Sequence, residues 1–437
     1  MREHKWWLAA VGLAAAAAVL ASAVSASARS TADPKSLSGD ITLATELTTN
    51  RAWPVLIANF NRVYPNVHVN WTGGVASAAR PALLATQFQS GNAPDILLMG
   101  AGTANPPSVL GYAAGGYLAD MSKAPWRKRI PAFSKPMVTL NGKVYGWNLR
   151  VVAGPSIAYN KDIFRQLGLT VPKTFSQFLA TCRAIKRKDS SLIPMLIIGG
   201  NINALAAAPF GFASSYVYAK DPNWNGKRAR GKVTFESTPG WHQSVQRFFD
   251  MRDAGCFSQG VAGDQIPAVV SQFASGKAAM MWFGDTGVSL ALAINSNLHI
   301  GNFPPPADTA KSTYMTLFAG DTIVINKQSK NLPAARAFVD FLAREKQNRL
   351  FGKILGEENP YDYQKALNRK IGAKALDAAH RWTAPWATTG RIKVSGQANF
   401  PTSAPTVAMG AALQGMFTGQ TKSVDDVLKA ADAAWPH

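Results

Sequence analysis

The fold is decided by residues 141–186, NGKVYGWNLRVVAGPSIAYNKDIFRQLGLTVPKTFSQFLATCRAIK. Gly154 and Pro155 break an apolar run, and a short apolar segment follows them. The pattern then predicts a helix that ends at Gly168 and a second helix that begins after Thr174, a plausible N-cap residue. The apolar residues of the second helix follow the i, i+3, i+4, i+7 spacing of one buried face: Phe175, Phe178, Leu179, Cys182 and Ile185.

The same stretch resembles the segment that crosses between lobes in the extracellular solute-binding proteins of ABC importers. The resemblance is to the branch that includes the maltodextrin- and sugar-binding proteins. Three further family signatures stand in the expected order along the chain, one before this segment and two after it: SGNAPDI at 90–96, VVSQFASGKAAMMWFGD at 269–285 and SKNLPAARAFVDFL at 329–342. The matching positions of the crossover segment are Gly142, Lys143, Tyr145, Gly146, Tyr159, Asn160, Lys161, Phe164, Gly168, Leu169, Pro172, Thr174 and Phe178.

This resemblance implies an α/β chain with the two-lobe, type II periplasmic-binding-protein fold. Each lobe is expected to be a mixed sheet flanked by helices, and the lobes are expected to be joined by hinge crossovers that let them close on a ligand. The expected boundaries are 38–151 and 319–358 for the first lobe, 156–316 and 359–437 for the second lobe, and 151–156 and 316–320 for the crossovers.

Residues 1–28 have the parts of an export signal. Arg2 and Lys5 give a positive start, an Ala- and Leu-rich apolar run follows, and residues 26–28 are a small-residue cleavage site. The alternative is an uncleaved N-terminal anchor, but an Ala-rich run is only weakly hydrophobic, which favours cleavage. No Cys stands directly after the run, so we expect a soluble periplasmic protein without lipid attachment at that point.

The chain of 437 residues is 47% hydrophobic and 16% charged, which is an ordinary globular composition, and its formal net charge is +21. The densest basic clusters lie at 126–129, 186–188 and 227–230. None is interleaved with aromatic residues in a nucleic-acid-binding pattern, so a solvated basic surface is favoured and no nucleic acid is expected. An anionic membrane or an acidic partner stays open as the reason for the charge.

The two cysteines of the chain are Cys182 and Cys256. An even count in an exported chain permits one disulfide, and two separate buried thiols are an equal alternative. Their spacing supports no metal site, and we expect no cofactor.

Ligands of open α/β sheets bind outside the carboxyl ends of the strands, so polar and aromatic residues at those ends are the candidate contacts. A sugar needs aromatic faces together with planar polar side chains. The candidates are Glu46, Thr48, Met99 and Asp321 on the first lobe; Asn201, Trp224, Trp282, Asp285, Trp386 and Arg391 on the second lobe; and Asn148 and Arg150 at the crossover.

Metalloprotease, P-loop, dinucleotide-binding and serine-hydrolase motifs are absent from the sequence, so no enzyme is indicated. The resemblance implies a monomeric binding component that captures a sugar or oligosaccharide and delivers it to the permease subunits of an ABC importer. Two alternatives remain. Arg150 and Arg391 together would suit an anionic solute such as glycerol phosphate or a uronate, and the basic charge would suit an exported polyanion-binding protein.

Overall fold

The computed structural model describes residues 33–75, 79–103, 107–355, 391–394 and 400–436. The expected export signal at 1–28 and the candidate Trp386 lie outside these residues. Within them, no helix is long and apolar enough to span a membrane.

The described chain alternates strands and helices. The strands are β1 Gly39–Ala44, β2 Val67–Asn70, β3 Ile96–Gly100, β4 Thr139–Leu140, β5 Lys143–Val144, β6 Gly146–Asn148, β7 Val151–Ala153, β8 Ile157–Asn160, β9 Ile193–Ile197, β10 Ala278–Trp282, β11 Ile300–Phe303, β12 Met315–Ala319, β13 Asp321–Ile325 and β14 Ile392–Val394. The α-helices are α1 Trp53–Asn61, α2 Arg80–Gln89, α3 Val109–Ala114, α4 Lys135–Val138, α5 Lys161–Gln166, α6 Phe175–Lys188, α7 Ile202–Ala207, α8 Pro209–Ala213, α9 Trp224–Ala229, α10 Pro239–Asp253, α11 Ile266–Ala274, α12 Gly284–Ile294, α13 Leu332–Leu342, α14 Glu345–Leu355, α15 Ala404–Thr418 and α16 Val424–Ala433.

The two helices predicted after the Gly-Pro break are confirmed as α5 and α6. Asn160 caps α5, because its Oδ1 accepts hydrogen bonds from the backbone N–H groups of Asp162 and Ile163. Thr174 caps α6 through its Oγ1, which accepts from the N–H of Gln177 at 3.3 Å. Side chains that satisfy these N-terminal donors fix where each helix begins.

The first lobe is built on a five-stranded sheet with the order β2-β1-β3-β13-β6. Strands β2, β1 and β3 are parallel, whereas β13 runs antiparallel to both β3 and β6. Helices α1, α13 and α14 cover one face, where Trp53, Phe60, Phe338 and Phe351 pack in one buried cluster. Strand β13 follows the second crossover. The chain therefore leaves this lobe after β6 and returns to it with β13, which lies between β3 and β6 in the sheet.

The second lobe is built on a four-stranded mixed sheet with the order β11-β8-β10-β9. Its largest core is aromatic and joins α6, α8, α10, α15 and α16 around residues such as Phe178, Phe212, Trp241 and Trp282. A smaller cluster packs α11 on the opposite face. The last two helices of the chain therefore complete the second lobe.

Two strands of a separate three-stranded sheet lie where the crossovers were predicted. Strand β12 pairs antiparallel with β7 and parallel with β14. Gly320, directly after β12, lets the two crossovers approach closely, because a Cβ there would lie 2.8 Å from Cγ of Arg150. The expected domain boundaries themselves stay a prediction, and residues 359–390 of the second lobe lie outside the described ranges.

The two cysteines form a disulfide. Cys182 on α6 and Cys256, after α10, have Cα atoms 5.1 Å apart and join segments separated by 74 residues. Both residues are fully buried in the aromatic core of the second lobe. The sequence left open either one disulfide or two separate buried thiols, and the structure contains the disulfide.

Candidate functional site

A pocket of about 260 Å³ lies between the two lobes at the hinge. Its lining comes from the ends of β3, β9 and β10, from the loop after β1 and from both crossovers. The lining residues are Glu46, Gly100, Ala101, Pro107, Arg150, Val152, Gly154, Pro155, Ile197, Ile198, Asn201, Asn203, Ala204, Ala207, Ile266, Trp282, Phe283, Gly284, Thr286, Ala319, Gly320 and Asp321. Its position agrees with the rule that ligands bind outside the carboxyl ends of strands.

The first lobe and the hinge give this pocket a charged floor. Nη2 of Arg150 lies 2.7 Å from Oδ2 of Asp321, and both side chains are less than a tenth exposed. Beside them, Nη1 of Arg80 lies 2.7 Å from Oε1 of Glu46. Arg80 is itself buried on α2 and also donates from Nη2 to the backbone carbonyl of Leu98. Two carboxylates and two guanidinium groups therefore occupy one end of the cleft.

The pKa of Glu46 is raised above its ordinary value. Burial is the main cause, and the nearby charge of Asp321 adds to it, while Arg80 and Arg150 oppose it. When all four groups are ionised, the net charge of the floor is zero. The floor thus presents carboxylate oxygens that accept hydrogen bonds, without a net positive field that would select an anion.

The second lobe gives the pocket an apolar wall. Ile197, Ile198, Ile266 and Phe283 line it together with Trp282. The Trp282 side chain is 4% exposed, and its ring packs on Phe212 and Phe248 with centroid distances of 5.5 and 5.4 Å.

Polar groups stand at two places on that wall. The indole Nε1 of Trp282 is buried and has no hydrogen-bond partner among the described residues. Asn201 and Asn203 lie at the start of α7, where Oδ1 of Asn201 accepts from the N–H of Ala204 at 3.2 Å. An apolar wall with a few polar groups is typical of a small-molecule site.

Five of the twelve sequence-predicted site residues come together in this pocket. They are Glu46, Arg150, Asn201, Trp282 and Asp321. Their contact with a ligand stays a prediction, but the structure places them within one cavity although they are far apart in the chain.

Two of the other predictions are wrong, because the side chains belong to the hydrophobic core. Met99 has no exposed surface and packs beside Leu84 and Phe88, since strand alternation turns it away from the cleft. The pocket instead meets Gly100, one residue later. Trp224 is 1% exposed, stacks edge-on against Trp241 and donates from Nε1 to Thr238 at 2.9 Å.

The remaining predicted residues do not line the pocket. Asn148 is buried, and its Nδ2 donates to the carbonyl of Gly320 at 3.0 Å, so it holds the two crossovers together. Asp285 is buried one residue away from the lining and accepts from Nδ2 of Asn302 at 3.4 Å. Thr48 lies in the single turn Leu47–Thr49 after β1, beside the pocket residue Glu46.

Arg391 is also absent from the pocket lining. Its Nη1 donates to the backbone carbonyl of Ala310 at 2.9 Å. Arg391 directly precedes β14, the outer strand of the three-stranded sheet at the crossovers. The predicted pair of Arg150 and Arg391 is therefore not assembled at the pocket. Trp386 lies outside the described residues.

Three polar residues at the site were not among the predicted contacts. Arg80, the buried partner of Glu46, stands in a helix that carried no motif. Thr286 follows the predicted Asp285 by one position and lines the pocket at the start of α12. Asn203 lines it two residues after Asn201, and the paired Asn residues directly after a strand were the available signal.

The lobes also touch outside the pocket. Nη2 of Arg51, on the first lobe, donates to Oγ of Ser289 on α12 at 2.5 Å. The same hydroxyl donates to the carbonyl of Leu355 at the end of α14. Elsewhere, Oγ1 of Thr103 donates to the carbonyl of Phe400 at 2.6 Å. These hydrogen bonds join the lobes in the described conformation.

Nothing in the described part of the chain suggests a metal centre, because no three of its His, Cys, Asp and Glu residues are grouped as ligands.

Curated proteins with similar sequences are sugar-binding proteins by name. The melibiose/raffinose/stachyose-binding protein MelE of Bacillus subtilis is 25% identical over 234 residues, which is 53% of this chain and 54% of that protein. A multiple sugar-binding protein of Streptococcus mutans is 24% identical over 307 residues, 66% of each chain. The chain thus matches about half to two thirds of the length of these relatives.

Solved structures share the fold over nearly the whole chain. A Bacillus licheniformis sugar transporter in complex with stachyose has a TM-score of 0.70 and 18% identity, with 91% of this chain and 99% of that chain covered. The GacH receptor of Streptomyces glaucescens has a TM-score of 0.73 and 18% identity, with coverage of 91% and 98%. This likeness confirms the expected two-lobe α/β fold.

The family profile described as bacterial extracellular solute-binding protein matches residues 44–349. That range begins in β1, includes both crossovers and ends in α14, and the sequence signatures of the first subsection fall inside it. The chain therefore belongs to the family of bacterial extracellular solute-binding proteins.

Proposed function

We propose that this protein is the substrate-binding component of an ABC importer and that it captures a sugar or oligosaccharide between its lobes. The observation that carries the proposal is the composition of the pocket. Carboxylates on the first-lobe side face an apolar wall with two Asn side chains on the second-lobe side. A sugar ring offers hydroxyl donors at its rim and C–H groups on its faces, so it complements both sides.

The proposal gains support from proteins of similar fold. Their structures are described as complexes with stachyose, raffinose and acarbose. An anionic solute is the weaker candidate, because Arg391 does not line the pocket and Arg150 is already paired with Asp321. A phosphate or uronate entering there would also meet the carboxylate of Glu46.

The hinge supplies the mechanism. Two crossover strands connect the lobes, so a rigid-body rotation about them opens and closes the pocket. A ligand that contacts both lobes binds the closed form better and therefore shifts the population toward it. The closed protein would then dock on the permease subunits and release its ligand. We propose that it does this as an exported, non-catalytic monomer of the periplasm.

The first test is isothermal titration calorimetry of the purified protein with raffinose, stachyose, melibiose and acarbose. Glucuronate and glycerol 3-phosphate serve as anionic comparisons. We expect saturable binding of at least one neutral saccharide, with a rise in melting temperature because the ligand binds only the folded state. Binding of the anions alone would overturn the sugar assignment.

Asn203→Ala tests the pocket itself. Asn203 lines the cavity, and among the described residues it caps no helix and belongs to no core cluster. Its truncation should therefore weaken saccharide binding by about tenfold, the value of a lost hydrogen bond to a polar ligand, without changing the melting temperature of the free protein. The matched control is Asn297→Ala, an exposed amide after α12 that is not part of the pocket lining. Equal affinity of both variants and the wild type would contradict the placement of the site.

A further inference from the structure

A group of basic side chains lies together on a surface of the first lobe, outside the pocket lining. We call it the basic face. It comprises one half-buried and six exposed side chains from four segments: Lys123, Arg127, Lys128, Arg129, Lys143, Arg336 and Arg344.

Buried contacts hold these segments side by side. Nε1 of Trp126 donates to Oδ1 of Asp340 at 2.7 Å, which ties the turn at 127–129 to α13. Both terminal nitrogens of Arg336 donate to the carbonyl of Asp120 at 3.2 Å. The hydroxyl of Ser122 accepts from the N–H of Val144, so residues 123 and 143 are neighbours. The basic face is thus a fixed feature of the fold.

The cations of this face outnumber the carboxylates beside them. None of the seven forms an ion pair with the described residues. The carboxylates that these contacts bring to the face are Asp120 and Asp340, two against seven cations, and Asp340 accepts a hydrogen bond from Trp126. Burial raises the pKa of Asp340 even though Arg336, Arg344 and Arg129 are close enough to lower it. Positive charge therefore dominates this surface.

The other two basic clusters of the sequence have partners inside the fold. In the cluster at 227–230, Lys227 pairs with Asp221 at 2.9 Å and Arg228 pairs with Asp432 at 3.2 Å. In the cluster at 186–188, Lys186 bonds to the backbone carbonyl of Ser190, just after α6, and Lys188 bonds to that of Leu167, just after α5. Both cations also lie in the last turn of α6, where positive charge stabilises a helix. In the basic face Arg127 and Arg336 also bond to backbone carbonyls, whereas Lys123, Lys128, Arg129 and Lys143 form no side-chain hydrogen bond or ion pair with the described residues.

We propose that the basic face binds the anionic phospholipid headgroups of a membrane surface. The family is extracellular by description, and clusters of Lys and Arg beside a membrane are attracted to anionic lipid. Nucleic acid fits less well, because Trp126 is fully buried and the face offers no exposed aromatic ring for base stacking. Association with the membrane would concentrate the protein in the layer where a permease is found.

The test is sedimentation of the full chain with vesicles of phosphatidylcholine alone and with about 30 mol % phosphatidylglycerol. Wild-type protein should bind the anionic vesicles and not the neutral ones, and binding should disappear at about 0.5 M salt, where exposed charges are screened. Replacing residues 127–129 in R127Q/K128Q/R129Q removes three charges and should reduce partitioning by about 100-fold.

The matched control is K186Q/R187Q/K188Q, which removes the same number of charges from the second lobe. It should change partitioning by less than about threefold, because that cluster lies outside the basic face. K123Q/K143Q is a second variant, away from the turn, and should lower binding by about 20-fold. Circular dichroism and the melting temperature establish that each variant is folded.

Three results would overturn the proposal. The wild type could fail to bind anionic vesicles, or both triple variants could lose binding equally, which would make total charge the cause. Binding to polyglutamate as tight as binding to phosphatidylglycerol would assign the face to an acidic protein partner instead. None of these results depends on sugar binding, so the transport proposal stands or falls separately.

Discussion

Removing Arg150 should reveal how the charged floor of the pocket contributes to stability. Arg150→Met keeps most of the side-chain volume but deletes the guanidinium that lies 2.7 Å from Oδ2 of Asp321. Asp321, which is 6% exposed, then keeps a buried negative charge beside Glu46. Deleting one partner of a buried ion pair costs about 3–5 kcal/mol, so we expect a loss of that size in the free energy of unfolding at pH 7.5.

The assay is urea unfolding followed by tryptophan fluorescence at pH 7.5 and pH 5. Without Arg150 the pKa of Glu46 should rise further, and its protonation at lower pH removes part of the negative charge left at the floor. The destabilisation should therefore shrink as the pH falls. Asp321→Asn in the Arg150→Met background removes the same charge and should recover about half of the loss. A loss below about 1 kcal/mol, or one that is equal at both pH values, would refute this reasoning.

Three further predictions follow from the same structure. Because burial raises the folded-state pKa of Glu46, wild-type stability should fall as pH rises from about 4.3 through that raised value, and Glu46→Gln should flatten this dependence in melting curves. Replacing Cys182 and Cys256 by Ala opens a cross-link over 74 residues, so urea unfolding should show a loss of about 4 kcal/mol, and no loss would contradict a formed disulfide. Ser289→Ala removes the hydroxyl that accepts a hydrogen bond from Arg51 of the other lobe. Saccharide affinity should therefore fall about fivefold, and small-angle scattering should show a more open free protein. Unchanged affinity would exclude a role of this bond in closure.

The sequence was sufficient to predict the fold where local chemistry fixes it. Gly168 has a positive φ of 59° at the end of one helix, and Thr174 caps the next helix. The residues that marked these helix ends in the sequence are therefore the residues that determine them in the structure. The return crossover was also visible, because Gly320 separates two apolar strands. Each of these signals lies within a few residues of the structure that it determines.

The site was harder to predict, because a rule about strand ends selects a segment but not a side chain. The segment after β3 does reach the pocket, yet Met99 points into the core and the backbone of Gly100 faces the cavity. Trp224 shows the same difficulty, since an aromatic residue in a turn-rich loop suits a sugar face and a core equally well. Its neighbours Phe235 and Trp241, which lie further along the chain, decide for the core.

The charged floor lies beyond what any local pattern could show, because its four members come from four separate segments. Arg80 reaches Glu46 across 34 residues of sequence, and Arg150 and Asp321 meet only because the two crossovers run side by side. We expect the same geometry to couple ligand binding to the hinge. Arg150 directly precedes β7 of the first crossover, and Asp321 directly follows Gly320 of the second crossover. The ion pair therefore lies at the ends of the two crossover strands, about which the lobes rotate. A ligand that bonds to this pair is therefore held at the point about which the lobes turn, while Trp282 moves with the opposite wall.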